Sequence, residues 1–140
     1  MINETIEPDT QHEYIGHTVG IHGPVVVIDC KKLPPLHQAL TAHINNENYL
    51  FEVHQHLDER HVRAITLHTT SGLRRGMPVY DTGSPVQVPV SPDCLGRLLN
   101  IFGEPLDDGP PLHHDSYRHI HGQPVSLSES AGVSDVLETG

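Results

Sequence analysis

Apolar and polar positions along this chain fall into short, punctuated runs rather than long periodic ones. Residues 1–14 are polar and acidic without periodicity and read as a flexible leader. From His17 the character changes. Thr18-Val19-Gly20-Ile21-His22 alternates, Gly23-Pro24 interrupts, and Val25-Val26-Val27-Ile28-Asp29-Cys30 is largely β-branched. That pattern predicts a strand, a break and a second strand. Paired prolines make Lys31-Lys32-Leu33-Pro34-Pro35 a loop, because they forbid both helix and inner strand. His37–Ile44 and Tyr49–Leu57 then read as strands around the turn Asn45-Asn46-Glu47-Asn48. In the second strand Leu50, Glu52, His54 and His56 share one face, and Tyr49, Phe51, Val53, Gln55 and Leu57 the other. Asp58-Glu59 turns the chain and His61–His68 returns. Past the turn Thr69–Gly72, Leu73–Met77 leads into Val79-Tyr80, and Asp81-Thr82-Gly83-Ser84-Pro85 reads as another turn. Val86–Val90 closes the series with period-two alternation.

Short strands at about 8–12-residue spacing, with turn chemistry between them, predict a small barrel or sandwich. At Ser91 the pattern changes. Ser91 suits an N-cap, Pro92 the first helical position and Asp93 the positive helix end. Leu95, Leu98, Leu99 and Phe102 follow at helical spacing and Gly103 stops them, which predicts one helix. Residues 104–111 read as a loop and 112–140 as extended or irregular, with too little apolar content for a core of their own. The predicted organisation is a leader over 1–14, a barrel domain over 15–90 and a second, incomplete domain over 91–140.

Composition narrows the function classes. The chain has 140 residues, 18 Asp+Glu against 8 Lys+Arg, and a formal net charge of −10. That balance argues against nucleic acid, since phosphate binding needs clustered Lys and Arg. Two cysteines, Cys30 and Cys94, make no disulfide framework and point to a reducing compartment. No apolar run approaches the ~20 residues of a membrane-spanning helix. The first fifteen residues carry acids and no Lys or Arg, unlike a secretory signal. Gly and Pro, 12 each, punctuate the chain too often for long helices.

Candidate chemistry is sparse. The 13 histidines include His54-x-His56, His113-His114 and His119-x-His121. Neutral imidazoles so placed can share a metal such as Zn²⁺, but no Cys or carboxylate falls at a recognised spacing to complete a site. Asp81-Thr82-Gly83 spells the aspartic-protease tripeptide, in which an Asp pair activates water. A chain of this size could act as a retroviral-type homodimer with Asp81 from each subunit, which makes a protease the enzymatic alternative. Against it, Asp-Thr-Gly-Ser-Pro is also ordinary turn chemistry. The lysines, Lys31 and Lys32, stand between Cys30 and Leu33, outside any Gly-rich phosphate loop. Cys94 sits where a helix N-terminus would lower a thiol pKa, with burial as a small hydrophobe the competing fate. No catalytic, cofactor-binding or metal residue is assigned from these patterns.

Taken in order, several runs resemble the start of the F-type rotary ATP synthase beta subunit. They are Val19-Gly20-Ile21-His22-Gly23-Pro24-Val25-Val26-Val27-Ile28, Leu33-Pro34-Pro35-Leu36, Phe51–Leu57 with Val62-Arg63-Ala64-Ile65, and Gly72-Leu73-Arg74-Arg75-Gly76-Met77. Asp81-Thr82-Gly83-Ser84-Pro85, Val88-Pro89-Val90, Leu95-Gly96-Arg97 and Gly103-Glu104-Pro105-Leu106-Asp107 follow. The likeness covers residues 17–112 and resumes at Leu137–Gly140, and Gln55-His56-Leu57 fits beta rather than alpha. The resemblance implies a mainly β fold, a small closed barrel of about six strands, followed by the start of an α/β P-loop nucleotide-binding domain. It implies an assembly role, with alternating alpha and beta barrels forming a crown on the catalytic hexamer. The parent enzyme would bind ATP/ADP and Mg²⁺, engage alpha subunits and the rotary stalk, and couple ATP turnover to H⁺ or Na⁺ transport. It would lie on the cytoplasmic side of the inner membrane, attached peripherally. The resemblance also implies that the chain stops before the Walker A loop. The P-loop Lys and Thr, the catalytic Glu and the adenine-pocket aromatic then have no counterpart here, so the fragment is expected to be inactive alone. Residues 113–135 match the family poorly.

Overall fold

The computed structural model describes residues 12–44, 46–101, 103–113, 116–126 and 128. Six antiparallel strands close into a barrel: β1 (Glu13–His22), β2 (Val25–Cys30), β3 (Gln38–Ile44), β4 (Glu47–His56), β5 (His61–Thr66) and β6 (Pro78–Pro85). Their order around the wall is β1-β2-β5-β4-β3-β6, with β6 returning to β1. Closure leaves no edge strand in this wall. The expected mainly β fold with a closed six-stranded barrel is therefore observed.

The interior follows from strand alternation. Val26 and Ile28 of β2, Phe51 and Val53 of β4, and Val62 and Ala64 of β5 are fully buried, as are Leu40, Ala42 and Val79 from β3 and β6. Burying each large aliphatic or aromatic side chain contributes about 1.5–3 kcal/mol. β1 approaches β2 so closely at Gly16 that a Cβ there would lie 1.9 Å from the Asp29 carbonyl oxygen. Only glycine fits that crossing.

Three details depart from the sequence expectations. In β4 the inward run Tyr49, Phe51, Val53 does not continue to Gln55 and Leu57. A register shift between Val53 and Gln55 re-aims the strand end, and Gln55 and Leu57 are exposed. Asp81–Pro85 is strand, not turn. Asp81 pairs with both Glu13 and Leu40, and Pro85 pairs with Gln38. Gly83, at φ 79°, bends the strand there without ending it. Finally, the leader expected over 1–14 lies outside the described residues up to Gln11, but Glu13 and Tyr14 already belong to β1.

The chain divides after Val86, and Gln87–Gly140 forms a second unit. Gln87–Pro89 (β7), expected to finish the barrel, pairs instead with Tyr117–His119 (β8). The predicted helix after Ser91 is a correction. Ser91 does cap, its Oγ accepting from Asp93 N at 3.1 Å with Pro92 next, but only a three-residue 3-10 turn, Pro92–Cys94, forms. Leu95 is extended and Gly96 takes φ 69°, which ends the turn. Leu95 and Leu98 are 67% and 61% exposed, so the apolar stripe has no face to bury and propensity alone cannot hold a helix. Phe102 lies outside the described residues.

Leu98–Asn100 and Glu104–Leu106 pair antiparallel instead. Leu106 N donates to Leu98 O at 2.8 Å, and Asn100 N to Glu104 O at 2.9 Å. The Asn100 side chain bonds Glu104 reciprocally: Nδ2 to Oε2 at 2.7 Å, and Glu104 N to Oδ1 at 2.9 Å.

Candidate functional site

The barrel's polar side chains act on its connecting loops, and this is where the sequence candidates lie. Thr18 is the deepest of them, fully buried on β1. Its Oγ1 donates to Arg74 O at 2.7 Å and accepts from Met77 N at 3.0 Å. Its backbone N donates to Met77 O at 3.0 Å and its carbonyl accepts from Gly76 N at 2.7 Å. Four bonds from one residue thus hold the loop presenting Arg74 and Arg75. Tyr49 anchors the preceding turn. Glu47 Oε2 and Ser71 O lie 2.8 and 2.7 Å from its hydroxyl, which has one proton to donate. Burial, then the bond to Glu47, pushes this hydroxyl up to about 12.

The loop after β2 is fastened on two sides. His56 Nε2 donates to the Pro34 carbonyl at 2.8 Å. His37, at φ 65°, has its Nδ1 3.1 Å from Glu52 Oε1. A cleft of about 150 Å³ lies beside this loop, between Tyr14 and Ile15 on one side and Lys31–Pro35 on the other, with Glu13 and Asp81 at its rim. Lys31 Nζ stands 4.6 Å from the centroid of the Tyr14 ring, and that ring meets Tyr80 edge-on at 5.8 Å.

Asp81 is not arranged as a protease aspartate. Its Oδ1 accepts from Gln38 Nε2 at 2.6 Å and from Gly83 N at 2.7 Å. Thr82 Oγ1 donates within reach of Ala39 O and Ser84 O, at 2.8 and 3.0 Å. These contacts pin the bend of β6 to β3, which gives the Asp-Thr-Gly run a structural task. Gln38 is a partner that nothing in the Asp-Thr-Gly motif foretells, because it stands far away in the chain.

The paired histidines separate. His54 is exposed at the β4 register shift while His56 serves the Pro34 loop. His119 ends β8 opposite Gln87, and His114 lies outside the described residues. Among the described residues, neither His54 with His56 nor His113 joins a group of three ligand side chains close enough to share an ion.

Cys30 is buried, and its thiol is pushed up to about 11, by burial first and then by the nearby Asp29 and Asp81 charges. That is the environment of an inert thiol. Cys94 is half-buried in the 3-10 turn, its Sγ 3.9 Å from Pro89 O.

Among the described residues of the second unit, Arg97 and Asp107 make a strong ion pair. Arg97 forks onto Asp107, Nε to Oδ2 at 2.6 Å and Nη2 to Oδ1 at 2.9 Å. Asp107 also accepts from Leu98 N and Gly109 N, at 3.2 and 3.1 Å. The Arg97 guanidinium and these amides hold the Asp107 carboxyl well below the usual carboxylate range. Two further charged residues act in the barrel: Arg60, which the sequence reading did not single out, and Asp58, which it placed in the turn after β4. Arg60 clamps Asp29 across strands, and Asp58 accepts from Arg60 N and His61 N, each at 2.8 Å, closing the β4–β5 turn.

What this arrangement does chemically is hold loops on a rigid wall. Residues 18–83 match the ATP synthase alpha/beta family, beta-barrel domain. The matched span enters within β1, covers β2 to β5 whole and ends at Gly83 in β6.

Proposed function

Taking residues 18–83 as a beta-barrel domain of the ATP synthase alpha/beta family, we propose that the chain is the amino-terminal part of a beta subunit. Its barrel stands beside those of alternating alpha subunits in a crown that holds the catalytic hexamer together. The observation that carries this reading is the coincidence of the matched residues with a wall that closes on itself. A closed wall resists the deformation that the moving catalytic domains impose, and offers no free edge for stray pairing. Gln55-His56-Leu57, at the end of β4 and beyond it, supports beta over alpha by resemblance.

In the parent enzyme, ATP/ADP and Mg²⁺ bind in the nucleotide domain, the stalk turns within the hexamer, and the complex couples ATP turnover to H⁺ or Na⁺ movement from the cytoplasmic side of the membrane. Residues 1–140 contribute assembly rather than chemistry. The experiment mixes the purified chain with isolated alpha or isolated beta subunits of an F-type enzyme and weighs the products by native mass spectrometry. One-to-one complexes with alpha subunits are expected. Association with beta subunits alone, or with neither, contradicts the proposal.

A further inference from the structure

The register brings three connections to one end of the barrel. They are Gly23-Pro24 between β1 and β2, the turn from Ile44 to Glu47 between β3 and β4, and residues 67–77 between β5 and β6. Bonds tie them to one another and to the strand ends. Thr66 N donates to Pro24 O at 2.8 Å, Leu67 N donates to Leu50 O at 2.9 Å, and the Tyr49 hydroxyl lies 2.7 Å from Ser71 O.

Charge is unevenly divided between the two ends. This end carries Arg74 and Arg75, and Glu47 is its one carboxylate among the described residues. Glu47 already faces the Tyr49 hydroxyl at 2.8 Å. His22 and His68, both exposed, bring no negative charge in either protonation state. The other end mixes Lys31, Lys32 and Arg60 with Glu13, Asp58, Glu59 and Asp81. A chain of net charge −10 thus keeps one cationic barrel end.

The two arginines are held outward by what flanks them. Leu73 packs on the core and Met77 is buried, so the chain is pinned before and after the pair. Gly72 at φ 85° and Gly76 at φ 81° turn it out and back. Thr18 Oγ1 donates to Arg74 O, and Thr18 O accepts from Gly76 N, at 2.7 Å each. Arg74 and Arg75 are exposed, and Arg75 meets no carboxylate of the described residues. A loop braced in this way has little backbone entropy left to lose when a partner binds.

Guanidinium groups fork onto carboxylates through paired, charge-assisted hydrogen bonds. A long phosphate polyanion or a membrane sheet would reach past two arginines onto the rest of an acidic chain. A short acidic stretch of polypeptide meets this end alone. We propose that the Arg74-Arg75 loop docks an acidic segment of a protein partner, one with paired Asp or Glu side chains. The proposal rests on the barrel and its loops and does not depend on the beta-type reading.

The test titrates a fluorescently labelled oligo-glutamate peptide into the full chain and follows its anisotropy. Binding should weaken as added salt shortens the Debye length below ~10 Å. Arg74→Ala/Arg75→Ala should weaken it by about fivefold or more, with circular dichroism unchanged. Arg74→Lys/Arg75→Lys, which keeps the charge but not the fork, should weaken it by less. Lys31→Ala/Lys32→Ala, at the other end, should bind as wild type. No binding of the peptide, wild-type affinity in Arg74→Ala/Arg75→Ala, or an equal loss in Lys31→Ala/Lys32→Ala overturns the proposal. So does tighter binding of phosphatidylserine vesicles or of a single-stranded oligonucleotide of the same charge. If the arginine variant fails to fold, amide spectra of the wild type decide. Peptide-induced shifts over residues 72–76 support the site, and shifts only elsewhere overturn it.

Discussion

One hydroxyl, Thr18 Oγ1, joins the barrel core to the loop that carries Arg74 and Arg75. Replacing it with an apolar isostere leaves the buried Met77 amide and the part-buried Arg74 carbonyl without that partner. Each such loss costs about 1–3 kcal/mol. Thr18→Val should lower stability by that order in urea unfolding, and Thr18→Ser, which keeps the hydroxyl, by distinctly less. Equal stability for Thr18→Val and the wild type would remove Thr18 from its assigned role. The inward position of Thr18 was hard to read because β1 is atypical. Its apolar residues Val19 and Ile21 are half-buried while Thr18 and Gly20 turn inward, across a register shift against β2. In β2 and β5 the alternation of apolar residues marks the interior directly. Asp81 was legible as a motif but not as a contact, because the Gln38 that bonds it arrives through tertiary pairing of β3 with β6.

At the scale of elements, five of the six barrel strands were legible from β-branched runs and the turns between them. β6 was cut short because Asp-Thr-Gly-Ser-Pro has turn chemistry, yet pairing on both sides keeps it in the sheet. The helix after Ser91 failed for the converse reason. Its leucine spacing is helical, but local bonds at Asn100–Glu104 and Arg97–Asp107 hold an antiparallel pairing that needs no buried face. Asp107 gives this pairing a pH signature. Its folded-state carboxyl is depressed, so its contribution is present above the ordinary 3.8 and is lost as pH falls through the lower folded value. Amide resonances of Leu98 and Gly109 should hold their folded shifts through pH 3.8 and titrate only below it. Asp107→Ala should shift them at neutral pH. Titration at or above 3.8 would show that the Arg97 fork does not form.

For the whole barrel, Cys30 in the core and Tyr49 at a turn add a sensitivity to alkaline pH. Cys30 is raised from 9.0 to about 11 and Tyr49 from 10.0 to about 12. A raised folded value means the protonated group stabilises the fold fully below its unfolded value and ceases to do so as pH rises through the folded one. The urea midpoint should therefore fall between pH 9 and pH 12. A Cys30→Ala/Tyr49→Phe variant should show a flatter profile over the same window, and an equally steep decline in it would contradict these assignments.

The central claim is that this barrel is an assembly module of the beta type, and a domain exchange tests it most directly. Residues 13–86 replace the corresponding barrel of a bacterial F-type beta subunit or, in a parallel strain, of its alpha subunit. The account predicts that the beta exchange yields intact hexamers with ATP-driven ion pumping near the parental rate, and that the alpha exchange does not assemble. Assembly in the alpha exchange, with failure in the beta exchange, would contradict it.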